Sequence, residues 1–324
     1  MTSLYVDRRG VELRLDGEAL AFYENSERIG TVPLAPLERI FLRGDIVLHS
    51  SLLGKLGEKN IGLVVLSGRK ASASMMLARP HNDASRRVDQ YRLSLDPAFC
   101  LRIAQSLVAA KLAESEKFLL TLAESGRRAS RLELEKCCGQ LGRFAAQITH
   151  QHSLAALRGL EGRAAATYFS GLAAHLPASL RFTGRNRRPP RDPLNAVLSL
   201  SYTLLHADIV ITLHGSGLDP FIGFYHGLDF GRESLASDLM EPLRPSVDRF
   251  AVSLFTSNQL RVENFSTTPD GCLLGKAGRT RFYPLYEEAA EHFRKRAAHG
   301  VSDLLTLLKP DGEEGENRST PLFM

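Results

Sequence analysis

The stretch ARPHNDASRRVDQ, residues 78–90, divides the chain into two parts that have different hydrophobic patterns. It is polar and follows neither the alternation of a strand nor the period of a helix, which is typical of a connector. The chain has 324 residues, a length that accommodates about two domains. We therefore predict a small domain over residues 1–80, a linker over 81–90 and a larger domain over 91–309.

Before this connector, short runs rich in β-branched and aromatic residues alternate with turn signals. The pairs Arg9-Gly10, Asp16-Gly17 and Asn25-Ser26 supply the tight backbone positions that hairpins need. We expect a small antiparallel domain that resembles a β-sandwich. One short helix near residues 50–59 is expected to interrupt it.

After the connector, apolar residues recur at helical spacing almost to the C-terminus. The pairs Asp96-Pro97 and Asp192-Pro193 combine a capping residue with a first-turn proline and each open a predicted helix. Further helices are expected over residues 128–149, 153–175, 234–255 and 285–308, with a β-prone pair over 265–282. The predicted fold class is α+β, in which a small β-sandwich-like domain precedes a larger all-α domain.

The ends and the composition of the chain favour a cytoplasmic protein that does not contact a membrane. Apolar residues make up 44% of the sequence, but no run approaches the roughly 18 needed to span a bilayer. The N-terminal residues lack the apolar core of a signal peptide. Cys100, Cys137, Cys138 and Cys272 form no CxxC pair, so we expect reduced thiols in the core. The acidic stretch 310–324 is expected to be a disordered tail.

Positive charge is concentrated in the loop RFTGRNRRPPR, residues 181–191. Lysine and arginine outnumber aspartate and glutamate by 41 to 36, and the five arginines of this loop match that excess. Such a loop is either a solvated surface or a track for nucleic-acid phosphates, and composition alone leaves both open. The predicted DNA-binding residues of this loop are Arg185, Arg187, Arg188 and Arg191.

A second informative stretch is GLDPFIGFYHGLDFGRESLASDLMEPLRP, residues 217–245. It sets His226 between glycines, where the backbone is free to bend toward a cleft, and then opens an acidic helical turn. Asp238 and Glu241 are three residues apart and share one helix face, with Arg244 three residues further along. The alternative is a core histidine next to a solvated ladder of acids and bases.

Glu161 is a candidate partner for His226, because it lies in the apolar helical segment LRGLEGRAAATYFSGL. A carboxylate in such surroundings is costly unless it is paired or binds a metal, so Glu161 is either a satisfied core residue or a ligand. His206 and His214 compete with His226, but they are more than two turns apart on one predicted helix and cannot share a metal. One imidazole with two carboxylates suits Mg²⁺ or Mn²⁺ better than structural Zn²⁺.

Four signatures, in this order along the chain, resemble the family of CRISPR-associated adaptation integrases, nucleases that insert new spacers into a CRISPR array. They are LEGRAAATYF, RPPRDPLNAVLSLSYTLL, GLDPFIGFYH and SLASDLMEPLRPSVDR. The resemblance covers nearly the whole chain, and the β-rich first quarter before a helical remainder also fits it. One departure is Pro242, where many relatives have another acid, so the local helix is expected to begin near Glu241.

The resemblance implies that Glu161, His226 and Glu241 are catalytic and bind a divalent metal, Mg²⁺ or Mn²⁺. It makes Asp238 a supporting or substrate-side acid, and Arg244 a clamp on a DNA phosphate or on Glu241. It implies that the 3′-hydroxyl of a short DNA duplex attacks a phosphodiester of the array, and that water in its place gives a nuclease. It also implies a homodimer formed largely through the β-domain, and a heterohexamer in which a small adaptation partner protein bridges two dimers.

Two other functions are compatible with the same residues. The first is a general metal-dependent DNA phosphodiesterase that cleaves without joining strands. The second is a catalytically inert helical DNA-binding module, whose acids cap helices and balance arginines. Metal-dependent activity distinguishes the integrase and the phosphodiesterase from the inert binding module. Strand joining distinguishes the integrase from the phosphodiesterase.

Overall fold

The structure is a computed structural model, and it describes residues 2–67, 72–79, 81–125, 128–187, 189–227 and 231–309. The chain forms two compact units, of which the first comprises Met1–Asn82 with His214–Ser216. The second comprises Asp83–Leu213 with Gly217–Met324. The first unit is rich in strands and the second in helices, so the predicted α+β fold class is confirmed. The predicted tail over 310–324 lies outside the described residues.

Two four-stranded sheets make up most of the described part of the first unit. Their strands are β1 (Ser3–Asp7), β2 (Val11–Asp16), β3 (Ala19–Glu24), β4 (Glu27–Pro33), β5 (Arg39–Arg43), β6 (Ile46–Leu48), β7 (Gly62–Ser67) and β8 (Ser72–Met76). Helix α1 (Ser50–Glu58) follows β6, where the sequence predicted a short helix. The predicted turns contain the positive φ angles that their residues favour, at Gly10, Gly17, Asn25 and Ser26.

Both sheets are mixed, so the prediction of a purely antiparallel domain is wrong. The first sheet has the order β1-β5-β7-β8, and β5 pairs in parallel with both β1 and β7. The second has the order β4-β3-β2-β6, with antiparallel pairs except between β2 and β6. Parallel neighbours need a crossover connection, which α1 provides between β5 and β7. Local alternation in a sequence does not reveal which strand becomes the neighbour.

Strands from both sheets and helix α1 share one hydrophobic core. The buried members of this core are Val6, Val11, Leu13, Leu20, Leu34, Leu37, Ile40, Leu42, Leu52, Leu56, Ile61 and Leu63. Because these aliphatic side chains leave water together, their burial is the main favourable term for this unit.

The second unit consists mainly of helices. They are α2 (Ser85–Ser94), α3 (Pro97–Ser125), α4 (Arg128–Ala145), α5 (Leu154–His175), α6 (Pro193–Gly215), α7 (Ser234–Met240), α8 (Arg244–Thr256) and α9 (Lys276–Leu308). A hairpin of β9 (Phe265–Thr268) and β10 (Gly271–Leu274) precedes α9. The starts of α3 and α6 confirm the predicted caps: Asp96 Oδ1 accepts the Ala98 N–H at 2.8 Å, and Asp192 Oδ1 accepts the Asn195 N–H at 2.9 Å.

Helix α2 corrects the prediction of an irregular linker over residues 81–90. It begins at Ser85, whose N–H and hydroxyl both donate to the Asp83 carboxylate. Gln90 is fully buried although it is polar. Its amide donates to the carbonyls of Asp219 and Ile222 at 2.8 and 2.7 Å, which satisfies the buried group. A helix that is anchored by an amide side chain has no apolar period to reveal it.

Helix α9 also differs from the prediction, since it begins at Lys276 and not near residue 285. The sequence predicted β-prone residues up to 282, but β10 ends at Leu274 and the helix begins two residues later. In the structure Pro284 lies inside the helix, and Phe282, Tyr283 and Tyr286 around it are buried. Aromatic packing on this face holds the helix together where the proline removes a backbone donor.

Helix α6 is long and apolar enough to span a membrane by length and composition, but 72% of its most apolar window is buried inside the protein. It is therefore a core helix of the helical unit. The four cysteines are also buried and form no disulfide, as the sequence predicted.

Among the glycines that the structure describes in the first unit, Gly44 leaves the least room for a side chain. Its φ is +115°, and a Cβ there would lie 2.0 Å from the Arg8 carbonyl oxygen. We expect Gly44→Ala to lower the free energy of unfolding by about 3 kcal/mol or more, because the clash is with backbone and cannot relax.

Gly10→Ala is the matched control, since φ there is also positive, at +70°, but nothing lies within 4 Å of the added Cβ. It is expected to lose only about 1 kcal/mol, the conformational cost alone. Urea unfolding of both variants measures the difference, and equal losses would contradict the steric argument.

Candidate active site

A cavity of about 220 Å³ lies within the helical unit. Its charged and phenolic lining residues are Lys111, Glu161, Tyr168, Arg185, Arg187, Tyr202, Arg244 and Asp248. Residues of α3, α5, α6, α8 and the arginine loop thus meet around one space. Four of the predicted site residues, Glu161, Arg185, Arg187 and Arg244, are among them.

The carboxylates of Glu161 and Glu241 meet at the ammonium group of Lys111. Lys111 Nζ donates to Glu161 Oε1, and it donates to Glu241 Oε2 at 2.6 Å. The side chains are largely withdrawn from water, with exposed fractions of 13% for Lys111, 20% for Glu161 and 6% for Glu241. The structure therefore brings the two predicted acids together through a lysine that the sequence did not single out.

His226 faces one of these two acids, Glu241. Its Nε2 lies 3.9 Å from Glu241 Oε1, while its Nδ1 lies 2.7 Å from Asp238 Oδ1. Because an ionised carboxylate can only accept, Nδ1 donates to Asp238, and Nε2 is the ring nitrogen on the side of Glu241. Glu241 therefore lies between two other predicted site residues, since it shares Lys111 with Glu161 and has the His226 ring on its other side.

Asp238 lies behind His226 and binds the backbone of the loop segment that ends at His226. Its carboxylate accepts the backbone N–H groups of Phe224, Tyr225 and His226 at 2.7, 2.9 and 2.8 Å. It is fully buried, so these hydrogen bonds and the one from the imidazole replace its hydration. Asp238 therefore orients His226 and does not face the cavity.

Gly223 permits this close approach of the loop to helix α7. A Cβ on Gly223 would lie 2.7 Å from Asp238 Oδ2 and 2.9 Å from the Ser234 carbonyl carbon. Any side chain at this position would push the loop off the carboxylate. The glycine before His226 is thus required by packing, and not only by flexibility as the sequence suggested.

Arg244 contacts Glu241 in this structure. Its Nε donates to Glu241 Oε1 at 2.9 Å, and its guanidinium lies over the Tyr202 ring at 4.8 Å from the centroid. Burial raises the pKa of Glu241, but the charges of Arg244 and Lys111 lower it by more, so its pKa lies well below the ordinary value. Glu241 is consequently a carboxylate at neutral pH.

The arginine loop separates into residues that point inward and residues that reach solvent. Arg185 donates to Asn195 Oδ1 at 2.8 Å and stacks 5.3 Å from the Tyr202 ring centroid. Burial lowers the pKa of Arg185. Arg187 is exposed and lines the cavity, and Arg191 is exposed. Arg188, the fourth predicted phosphate contact, lies outside the described residues.

A buried polar network fixes the backbone of this loop. Asn195 Nδ2 donates to Gly184 O at 2.8 Å and to Asp192 Oδ2 at 2.6 Å, while its Oδ1 accepts the Asn186 N–H at 3.0 Å. Asn186 Oδ1 in turn accepts the Arg191 N–H at 2.8 Å. The residues that cap α6 therefore also set the position of the arginines.

Asp248 and two tyrosines form the rear wall of the cavity. The Tyr168 hydroxyl donates to Asp248 Oδ2 at 2.9 Å, and the Tyr202 hydroxyl donates to Asp248 Oδ1. Burial raises the pKa of Asp248, and burial next to that carboxylate raises the pKa of both tyrosines well above the usual range. Both tyrosines are thus held as neutral donors, and Arg185 and Arg244 lie over the Tyr202 ring.

Sequence reasoning missed Lys111, Tyr168, Tyr202 and Asp248. Lys111 gave a signal that could have been used, because it falls on the buried face of α3, between Leu107, Val108 and Ser115 at helical spacing. A lysine in such a stripe has to pair with acids from elsewhere. The tyrosines and Asp248 lie inside the quoted signatures, but nothing in those signatures indicates that they contact one another.

The competing histidines do not join the site. His214 Nε2 lies 2.7 Å from the Ala78 carbonyl oxygen, within the first unit. His206 Nε2 lies 3.7 Å from Glu233 Oε2. His226 is therefore the candidate whose imidazole faces Glu241.

The donor set of Glu161, His226 and Glu241 fits a hard divalent cation, since it offers carboxylate oxygens and one imidazole nitrogen that Asp238 does not occupy. As the side chains stand, no group of three His, Cys, Asp or Glu in the described parts of the chain converges to metal-binding distance. The Lys111 ammonium, which contacts both carboxylates, supplies the positive charge at that point.

His206 gives a prediction for the pH dependence of stability. Burial, and then the charge of Arg244, lower its pKa from 6.5 to about 4. The unfolded chain therefore takes up a proton at a higher pH than the folded chain, so stability is lost as pH falls from about 6.5 toward about 4.

We expect the wild type to lose about 2 kcal/mol more of its unfolding free energy than His206→Gln between pH 7.5 and 5. Urea unfolding at the two pH values measures this difference, and the variant removes the contributions of all other groups from the comparison. Equal losses in both proteins would show that His206 titrates normally in the folded state.

The sequence matches the family model described as CRISPR associated protein Cas1 over residues 4–288. A CRISPR-associated endonuclease Cas1 of Thermodesulfovibrio yellowstonii is 38% identical over 297 residues, which cover 91% of this chain and 93% of the relative. Another, from Rhodospirillum rubrum, is 34% identical and covers 85% of this chain and 81% of its own length.

Solved structures share the fold at lower sequence identity. A Cas1 protein from Thermotoga maritima superposes with a TM-score of 0.84 at 23% identity, covering 98% of this chain and 100% of that one. A casposase bound to its integration product gives a TM-score of 0.82 at 20% identity, with 97% and 92% coverage. By the family match and the sequence identity to these relatives, the chain belongs to the Cas1 family of CRISPR-associated proteins.

Proposed function

We propose that this chain is a metal-dependent DNA endonuclease and integrase of CRISPR adaptation, which inserts short duplex DNA into a CRISPR array. The observation that carries the proposal is that Glu161 and Glu241 meet at Lys111, with His226 beside Glu241, next to a cavity lined by three arginines. Carboxylates and an imidazole next to guanidinium groups suit a phosphodiester substrate. Membership in a family whose relatives are named endonucleases supports the same conclusion.

The cation required for this chemistry is Mg²⁺ or Mn²⁺, which Glu161, Glu241 and the Nε2 of His226 would hold. When bound, it would polarise the phosphoryl oxygen and stabilise the oxygen that leaves. Asp238 keeps the His226 proton on Nδ1, and therefore keeps Nε2 available as a ligand. Arg244 holds one oxygen of Glu241, so the cation would bind the other oxygen, which contacts Lys111 in this structure.

In the proposed reaction, the 3′-oxygen of the incoming duplex forms a bond to a phosphorus of the array, and the bond from that phosphorus to the 3′-oxygen of one array strand breaks. The attacking hydroxyl loses its proton, and the released strand end gains one. Water in place of the hydroxyl gives hydrolysis. Arg187 is exposed at the cavity and can contact the phosphates, while Arg185 is turned toward Asn195 and Tyr202.

The proposed partners are double-stranded DNA, a second copy of the chain and a small CRISPR adaptation protein that joins two dimers into a heterohexamer. Support comes from a chain of a Cas6-RT-Cas1–Cas2 complex, which this chain resembles with a TM-score of 0.80 while covering 35% of that longer chain. The arginines that line the cavity support DNA as the partner of the helical unit, and a casposase bound to its integration product has the same fold. A cytoplasmic location is proposed from these DNA-acting relatives.

Strand joining tests the function directly. A labelled duplex with free 3′-hydroxyls is incubated with plasmid DNA, Mn²⁺ and the adaptation partner, and the label is expected in the plasmid. A duplex with blocked 3′ ends is expected to give no product. We expect Glu161→Gln, His226→Ala and Glu241→Gln to lower joining by a factor of about 1,000, while duplex binding changes by less than about threefold.

Glu291→Gln is the control, because its carboxylate pairs with Lys295 on an exposed helix face. It is expected to join strands like the wild type. Cleavage without joining under every condition would favour the general phosphodiesterase, and full activity of the three variants would favour an inert binding module.

The exposed arginines of the loop give a separate prediction about binding. Arg187→Ala with Arg191→Ala is expected to reduce the slope of log Kd against log salt by roughly two, because each phosphate contact releases about one counterion. Affinity should fall similarly for unrelated duplex sequences. Arg131→Ala with Lys136→Ala on the exposed face of α4 is the charge-matched control. An unchanged slope in the loop variant would show that the loop is only a solvated surface.

A further inference from the structure

Lys111 has a position that neither the fold nor the reaction explains by itself. It projects from the buried face of α3, and its ammonium contacts one oxygen of Glu161 and one of Glu241. Only 13% of its side chain is exposed. A lysine withdrawn from water to this extent is costly unless its charge is used.

Charge balance shows what the lysine does in this state. Glu161 and Glu241 contribute two negative charges, and Lys111 with Arg244 contributes two positive charges within hydrogen-bond contact of them. The cluster is therefore neutral without a metal ion. A divalent cation added to the same cluster would leave two positive charges in excess, close together and away from water.

Space leads to the same conclusion. The Lys111 ammonium lies between the two carboxylates, so a cation that binds both of them has to take its place. The cavity of about 220 Å³ that Lys111 also lines gives the side chain somewhere to go. In that cavity it would join Arg187 and Arg244, on the side where a phosphate is expected.

We propose that Lys111 is an internal counter-cation: it holds Glu161 and Glu241 together when no metal is bound, and it is displaced from them when the metal enters. The inference rests on the proposed function, since it takes the two glutamates as metal ligands. It makes Lys111 a positioning residue that keeps the empty site folded and lowers its affinity for the metal.

The test is Mn²⁺ binding to the full chain without DNA, measured by isothermal titration calorimetry together with thermal unfolding. Lys111→Met keeps the length of the side chain and removes its charge. We expect the Kd for Mn²⁺ to fall about tenfold, because binding no longer requires displacement of the ammonium. Without metal the Tm should fall by about 5 °C, since two buried carboxylates lose a partner, and saturating Mn²⁺ should restore it.

Lys295→Met is the matched control, because Lys295 pairs with Glu291 on an exposed helix face. It is expected to leave both the Kd and the metal-free Tm unchanged. If Lys111→Met does not fold, Lys111→Gln replaces it, since its amide can still donate to a carboxylate but carries no charge. The same increase in affinity is expected.

Two outcomes would overturn the inference, and they are distinguishable. In the first, the wild type binds Mn²⁺ through the glutamates, so that Glu241→Gln abolishes binding, but both Lys111 variants bind Mn²⁺ with the wild-type Kd or a higher one. The proposed function then stands, and the proposed role of Lys111 is wrong. If the wild type binds no Mn²⁺ in a manner that depends on Glu161 and Glu241, the metal dependence of the proposed function fails, and the inference fails with it.

Discussion

The rest of the site depends on the hydrogen bonds that the buried carboxylate of Asp238 accepts. It accepts the N–H groups of three consecutive residues, Phe224, Tyr225 and His226, as well as the His226 ring proton. A single side chain of α7 therefore fixes the course of a loop and the tautomer of the imidazole in that loop. Because the carboxylate has no water around it, each lost hydrogen bond would leave a buried charge less satisfied. The position of His226 is consequently a property of α7.

Charge compensation organises the other half of the site. Glu241 is bound on one oxygen by Arg244 and on the other by Lys111, so it is fully ionised even though it is buried. Arg244 is oriented in turn by the Tyr202 ring, whose hydroxyl is held by Asp248. These contacts form a continuous network from the acids to the rear wall of the cavity. Such a network fixes the orientation of Arg244 and Tyr202 at the edge of the cavity while the charges of the acids are balanced.

Local chemistry was predictable from the sequence, and pairings between distant segments were not. The caps Asp96 and Asp192 act on neighbouring backbone, so their signal is contained in a few residues. Glu161, His226 and Glu241 come from three separate signatures, and the structure places His226 beside Glu241. The contact of both acids with Lys111 depends on how α3 packs. The same limit explains the parallel pairs of the sheets, which depend on crossovers. Arg185 points inward because Asn195 lies beneath the loop, which the loop sequence does not contain.

Pro242 shows how a residue that was expected to disrupt a helix instead sets the geometry of the site. It leaves no N–H to continue the α-helical pattern, and the chain makes a 3₁₀ turn over Glu241–Leu243 between α7 and α8. The Glu241 N–H donates to the Asp238 carbonyl, and the Arg244 N–H donates to the Glu241 carbonyl. Side chains three residues apart eclipse one another in such a turn. Glu241 and Arg244 are therefore aligned for their ion pair, whereas Asp238, one turn earlier in α7, is directed to the loop that carries His226.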